Sequence, residues 1–283
     1  GEQNFVRHIG ELKGVIIRPA IIEGSWKVPI PGWLNGFRML DPLIVAYGRG
    51  KMIDFPGNSD GILDIIPVDM VANAMLAIVA KAVDHEDITV YQIASGMENP
   101  ITLQGFADNV HTYFNDNPLI SIGGESDKIK KLVKPTFPST KTFLSRIKLR
   151  YIVPVNALHS AATLLSFTSL GRRLKIKLKS YLVALERLYQ YGRLYGPYAE
   201  AECKFLTHNT RAVWDSLSEQ DKRNFDFDIS SIDWRVYLQE VHVPGVKKYL
   251  LGMDDKVDPG MDVIAPVNPV FPLKDSRAES NSK

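Results

Sequence analysis

Blocks of apolar and polar positions alternate along the first part of the chain and predict strands and helices in turn. The run GVIIRPAII (Gly14–Ile22) is apolar along most of its length, as expected of a strand covered on both faces of a parallel sheet. A loop, Glu23–Gly36, follows with two tryptophans and two prolines, then a helix around Phe37–Tyr47. GRGKMIDFPGNSDGILDIIP carries the turn signals Gly57-Asn58 and Asp60-Gly61 and predicts a hairpin or paired short strands. VDMVANAMLAIVAKAVD reads as a helix with Asp69 as N-cap and Val71, Met75, Ile78 and Val79 on one face. A strand over Ile88–Ser95 and a helix capped by Thr102 complete an alternation that predicts an α/β layer fold.

From about Gly123 the pattern changes. A polar, basic connector (Gly123–Ser139) leads into a mostly helical stretch, Leu158–Tyr195, with a break expected at Gly171. Ser218 with Asp221 three residues on marks a helix start, and Ser231-Ile232-Asp233-Trp234 another. Beyond Gly252, four prolines among polar residues predict a loose tail. The run Tyr151–Gly171 has no charge over 21 residues, but Pro154, Asn156, His159, three serines and two threonines make it too polar for a membrane span. It reads as a helix on a membrane surface, a substrate-lining helix or an ordinary buried helix.

Net charge is only +2, yet Lys128–Lys179 holds 13 Lys/Arg and no Asp or Glu, against 21 basic and 32 acidic groups elsewhere. Such segregation points to an anionic partner: a phosphate-rich ligand, a membrane surface or nucleic acid. The alternative is a solvated basic face paired with acidic groups elsewhere in the fold. Few aromatics interleave the basic residues and no nucleic-acid module is present, which disfavours nucleic acid. The single cysteine, Cys203, excludes an intrachain disulfide and a multi-cysteine metal site and suits a reducing, intracellular compartment. The start, GEQNFVRHIGELKG, is too polar for a signal peptide and lacks an initiator methionine, so a fragment, an excised domain or an irregular gene model is expected.

No G-x-G-x-x-G, G-x-x-G-x-x-G, P-loop, H-E-x-x-H or G-x-S-x-G motif occurs. The six histidines, at 8, 85, 111, 159, 208 and 242, show no ligand spacing, and no metal site is expected. The order of segments is more informative. VIIRPAII, the loop with Trp26, Pro29, Pro31, Gly32 and Trp33, ILDIIPVDMVANAMLA, VYQIASG and the C-terminal HNTRAVWDSLSEQDKRNFDFDISSIDWRVYLQEVHVPGVKKYLL together resemble the alcohol-forming fatty acyl-CoA reductases, the male-sterility-type members of the extended short-chain dehydrogenases. The resemblance spans about residues 5–252.

It implies the C-terminal part of a Rossmann-type domain (1–122), a basic connector (123–157), a helical C-terminal domain (158–252) and a flexible tail (253–283). It also implies NADPH as cofactor, long-chain acyl-CoA as substrate, and two hydride transfers through an aldehyde to a primary alcohol. In that family a Tyr-x-x-x-Lys pair acts, the tyrosine hydroxyl protonating the developing alkoxide while the lysine lowers its pKa. Here Gln3 stands at the tyrosine position and Arg7 at the lysine position, and about ten residues are missing before Val15. Glutamine has no proton to give at a useful pKa and arginine does not replace lysine, so no catalytic residue is assigned and the chain alone is expected to be inactive.

By the same resemblance Pro19, Ala20, Ile21 and Ile22 flank the nicotinamide, and Trp26, Pro29, Pro31, Gly32 and Trp33 form a stiff apolar mouth for the acyl thioester. Asp64 and Asp69 read as structural. Arg38, Arg49 and Lys51 are candidates for phosphate contacts, and LERLYQYGRLYGPY for helix packing. The basic segment suits CoA phosphates or a membrane surface. Two alternatives stay open: a truncated, non-catalytic paralogue that binds lipid or a partner, and a different extended dehydrogenase such as a sugar-nucleotide epimerase.

Overall fold

A computed structural model describes residues 1–50, 52, 54–82, 88–119, 132–201 and 203–253. The expected tail and part of the connector lie outside these residues, as does Lys51. Two short parallel ladders form the centre. Strand β1 (Val15–Pro19) and β2 (Ile21–Glu23) are successive pieces of one extended segment, followed in sequence by β3 (Ile65–Pro67) and β4 (Thr89–Ile93). β1 pairs with β4 from Val15 opposite Thr89 to Pro19 opposite Ile93, and β2 pairs with β3. The segment changes neighbours at Ala20, whose N–H still donates to Ile93 O, whereas the Ile21 N–H donates to Asp64 O.

Three expectations are corrected here. β1 is not covered on both faces: Val15–Ile17 are half-buried and Arg18 and Pro19 exposed, because among the described residues its sheet has two strands only. Of the two alternatives for the stretch before Ile65, the described residues form no hairpin; its short strand pairs in parallel with β2 across some forty residues. Helix α3 (Val68–Ala82) buries Met70, Val71, Ala74, Ala77 and Ile78, while Met75 and Val79 are exposed. The buried stripe is centred on alanines, which let the helix lie close against the strands it contacts.

The remaining α/β helices, in chain order, are α1 (Glu2–His8) and α2 (Asp41–Gly48) before α3, and α4 (Leu103–Asp116) after β4. Thr102 caps α4 as expected, its Oγ1 accepting from the Gly105 N–H at 3.0 Å. The C-terminal region adds α8 (His208–Asp215) and α9 (Glu219–Asn224), the latter capped by Ser218. A helical run from 234 to 250 follows, started by Asp233. In this run α-helical turns (Trp234–Val236, Val243–Gly245) alternate with π-helical ones (Tyr237–His242, Val246–Leu250), an uncommon geometry that re-aims side chains. One apolar core joins both halves, from Ile44, Ile65, Ile78 and Phe114 to Tyr237, Leu238 and Val246. Fully burying each such side chain contributes about 1.5–3 kcal/mol.

Between these regions lie α5 (Thr140–Ile147), a π-helical turn (Lys148–Ile152), α6 (Val153–Leu164) and α7 (Ser169–Glu200). α7 has 32 residues, about 48 Å at 1.5 Å per residue. Its C-terminal half packs on α5, where Gly192 and Gly196 admit Phe143 and Thr140. Its first half and α6 form a projecting hairpin in which, from 153 to 190, only Ala162, Gly171 and Leu185 are buried.

The helix break is at 165–168 rather than Gly171, because Thr168 caps α7 by accepting from the Gly171 N–H at 3.0 Å. Gly171 serves close approach: a Cβ there would lie 2.1 Å from Leu165 O. Gly171→Ala is therefore expected to destabilise the hairpin by about 1–3 kcal/mol. Hydrogen exchange checks this, with faster exchange in α6 and unchanged protection in α3 and α4.

Candidate functional site

The loop after β2 is closed on itself and clamped from two sides. Within the loop, the Ser25 N–H donates to Trp33 O at 2.9 Å, Gly32 N–H to Ser25 O at 2.9 Å, and Ser25 Oγ to Ile30 O at 2.6 Å. From the α/β side, the Asp69 carboxylate accepts from the backbone N–H groups of Trp26, Lys27 and Val28 at 2.8, 2.8 and 3.0 Å. Asp69 lies inside the first turn of α3 and is not its N-cap, so that expectation is corrected: the carboxylate serves the neighbouring loop instead of its own helix.

From the C-terminal side, Tyr237 Oη donates to Gly24 O at 2.6 Å, and the Trp26 ring meets Tyr237 edge-on at 6.0 Å. Gly32 has φ +75°, and a Cβ on it would meet Val241 O at 2.4 Å; one on Gly245 would meet Gly32 O at 2.1 Å. The two backbones touch because both residues are glycine.

The structure places the sequence-derived mouth residues on this loop. Gly32 is buried at the contact, Trp26 and Trp33 are half-buried, and Pro29 and Pro31 are exposed at the rim. Pro19, exposed, and Ala20, Ile21 and Ile22, half-buried, mark the point where the extended segment changes ladders. Gln3 and Arg7 are one helical turn apart on α1 and both are exposed. Arg38 and Arg49 are exposed. Asp64 is structural, accepting from Ser95 N–H, Ser95 Oγ and Gly96 N–H at 2.6, 3.1 and 3.2 Å, while burial raises its carboxyl above the usual range. Behind α2 and α4 lies an apolar cavity of about 60 Å³ lined by Leu40, Ile44, Phe55, Phe106 and Phe137 among others.

Beneath the loop the structure brings together three residues that sequence reasoning missed. Glu23, Asp41 and His242 have side chains 1%, 3% and 0% exposed. His242 Nε2 lies 3.2 Å from Glu23 Oε2 and 3.5 Å from Asp41 Oδ1, ion-pair contacts without good hydrogen-bond direction. The ring stacks on Tyr237, centroids 5.6 Å apart, and its Nδ1 accepts from the Gly24 N–H at 3.3 Å.

These separations resemble the ligand-to-ligand edges of a tetrahedral zinc site with bonds of about 2.0–2.1 Å. The Gly24 N–H facing Nδ1 argues otherwise. It leaves the ring's proton on Nε2, between the carboxylates, where a metal ligand needs a lone pair. The cluster reads as a buried proton-sharing group. Burial, then the Glu23 charge, pushes the Asp41 carboxyl up to about 7. Burial alone would lower the His242 pKa, but Glu23, with Asp41 behind it, outweighs burial and holds it above its ordinary value. No local spacing could have found this cluster, since Gly24 and His242 are 218 positions apart.

Two family models, each described as male sterility protein, match residues 1–75 and 162–253, the first an NAD-binding model. Fatty acyl-CoA reductase 2, chloroplastic, of Arabidopsis thaliana is 32% identical over 89% of this chain and 40% of its own length. The alcohol-forming fatty acyl-CoA reductase of Simmondsia chinensis is 33% identical over 89% of this chain and 50% of its own. The chain thus spans half or less of the length of these relatives. The solved UDP-glucose 4-epimerase of Thermotoga maritima, at 21% identity, covers 50% of this chain and 41% of its own with a TM-score of 0.28, a likeness too slight to bear on function. With the two family models in order on one α/β-plus-helical chain, and reductases of the same family collinear through both its halves, the chain belongs to the male sterility protein family.

Proposed function

We propose that this chain is the C-terminal part of an alcohol-forming fatty acyl-CoA reductase that uses NADPH to reduce long-chain acyl-CoA to a primary alcohol. The observation that carries the reading is the collinear match to fatty acyl-CoA reductases over 89% of the chain. In this reading residues 1–122 close the nucleotide-binding domain and 123–157 connect it to a helical domain, 158–252, followed by a tail, 253–283. Pro19–Ile22 wall the nicotinamide, and Trp26, Pro29, Pro31, Gly32 and Trp33 frame the thioester.

The clamp supports these roles. A loop held by Asp69 and by the 234–250 helical run keeps its shape without substrate, which reduces the ordering cost of binding. A nicotinamide cofactor would supply hydride, and this chain's residues would supply shape. With Gln3 and Arg7 where a proton donor and its lysine belong, the chain contributes no proton transfer.

A second reading, a non-catalytic paralogue that retains lipid binding, is favoured by those same two residues. The basic segment 128–179 is assigned to an anionic partner, with a membrane surface the foremost candidate and an intracellular, membrane-associated location to match.

The test is incubation of the chain with NADPH and hexadecanoyl-CoA, read by gas chromatography, alongside calorimetric titration with hexadecanoyl-CoA and with UDP-glucose. Binding of the acyl-CoA, no binding of the nucleotide sugar and no hexadecanol are expected. Binding of UDP-glucose without the acyl-CoA would overturn the reductase reading, and hexadecanol formation would overturn the assignment of inactivity.

A further inference from the structure

We propose that the tip of the α6–α7 hairpin is a shallow docking surface for an anionic lipid leaflet; the inference rests on the membrane partner assigned above and gives it a site. Four apolar side chains at or beside the turn are far out in water: Leu164 is 80% exposed, Leu165 53%, Phe167 78% and Leu170 75%. A cluster of such exposure at the end of a projecting element marks an interaction surface. Immediately behind it come Arg172, Arg173, Lys175, Lys177 and Lys179, which make no ion pair among the described residues. At 1.5 Å per residue they occupy a band within about 15 Å of the tip. The other arm, α6, carries no Asp, Glu, Lys or Arg from Val153 to Leu164.

The order of these layers selects the partner. In a bilayer, phosphate headgroups lie outside and hydrocarbon inside, so an element entering tip-first needs apolar side chains ahead and cations behind. On a nucleic acid the phosphates are outermost, and the four apolar side chains would stay in water. A second copy of the same tip would bring two all-basic bands together, with no acidic residue between 128 and 179 to offset them. No helix among the described residues is long and apolar enough to cross a membrane, so the hairpin docks in the headgroup region and does not span. The Thr168-capped start of α7 adds the positive end of the helix dipole to the same band.

The experiment is flotation of the chain with phosphatidylcholine vesicles prepared with and without phosphatidylglycerol. The variants are Leu165→Ser/Phe167→Ser, Arg172→Ala/Arg173→Ala and Phe167→Trp. All alter exposed side chains, and circular dichroism checks that each folds.

The chain is expected to float with the anionic vesicles and less so at high salt. The serine pair is expected to abolish flotation, and the alanine pair to weaken it by about thirtyfold, at roughly 1 kcal/mol per cation. Phe167→Trp is expected to blue-shift its emission on vesicles and to be quenched by lipids brominated near the headgroups.

Absence of flotation, flotation unchanged in the serine pair, or tip-dependent dimers in sedimentation equilibrium would each overturn the proposal. Hexadecanoyl-CoA titration of the same samples separates the two readings. Lost vesicle binding with acyl-CoA binding intact removes the docking surface alone, whereas lost acyl-CoA binding in the unaltered chain removes the reductase reading.

Discussion

His242→Leu is expected to lower the unfolding free energy by about 3–5 kcal/mol, the usual effect of removing one partner of a buried ion pair. Urea denaturation is the measurement. The substitution leaves Glu23 and Asp41 buried together without the imidazole Nε2–H that lies between them and strips Gly24 of its acceptor. Removing the charge on both sides should recover much of the loss, so Glu23→Gln/His242→Leu is expected to be more stable than His242→Leu alone.

The pH dependence has a defined sign. Asp41 titrates near 7 in the folded chain, above the ordinary carboxylate value, so the native state holds the extra proton and stability falls as pH rises from about 4 to 7. The raised His242 pKa acts the same way: its contribution is full below the unfolded value near 6.5 and is lost as pH rises through the folded value. Stability of the unaltered chain should therefore fall on going from roughly pH 5 to pH 8, and the Asp41 part of that fall is expected in His242→Leu as well. A flat stability profile of the unaltered chain over that range would show that neither group holds an extra proton in the fold.

Asp69→Ala is expected to cost about 3 kcal/mol and to open the loop. The carboxylate accepts three backbone N–H groups, hydrogen bonds to a charged group contribute about 1.5–3 kcal/mol each, and they do not add fully. Lys27 is already exposed, held at its tip by Asp226 at 2.8 Å. Limited proteolysis should show trypsin cutting after Lys27 far faster in Asp69→Ala, with hexadecanoyl-CoA affinity falling in parallel. Asp69→Asn, which keeps one acceptor oxygen, should fall between. Unchanged cleavage at Lys27 would mean that the loop's own turns suffice to hold it.

What could be read in advance follows the range of each interaction. The caps Thr102 and Ser218 and the helix start after Asp233 act over two or three residues, so their signals are local and each is found in place. Asp69 carried the right chemistry and the wrong partner: an aspartate at a helix start reads as a cap, while the three N–H groups it serves are more than forty positions away. On α3 hydrophobicity favoured Met75 and Val79, but close packing selected Ala74 and Ala77. The Glu23–Asp41–His242 cluster had no signal at all. Isolated acidic residues and one histidine among six are ordinary, and only the folded chain puts them within ion-pair distance.

The distance along the chain between Gly24 and His242 has a consequence for synthesis. The strand and loop emerge before their C-terminal clamp, which contributes both Tyr237 and His242 and lies 218 positions later at the histidine. At about 5–20 residues per second, the nascent loop waits on the order of 10–40 s for that clamp. Throughout that interval Glu23 has no imidazole to meet. The loop's final geometry is thus a certificate of completion, issued only to chains translated and folded past residue 245.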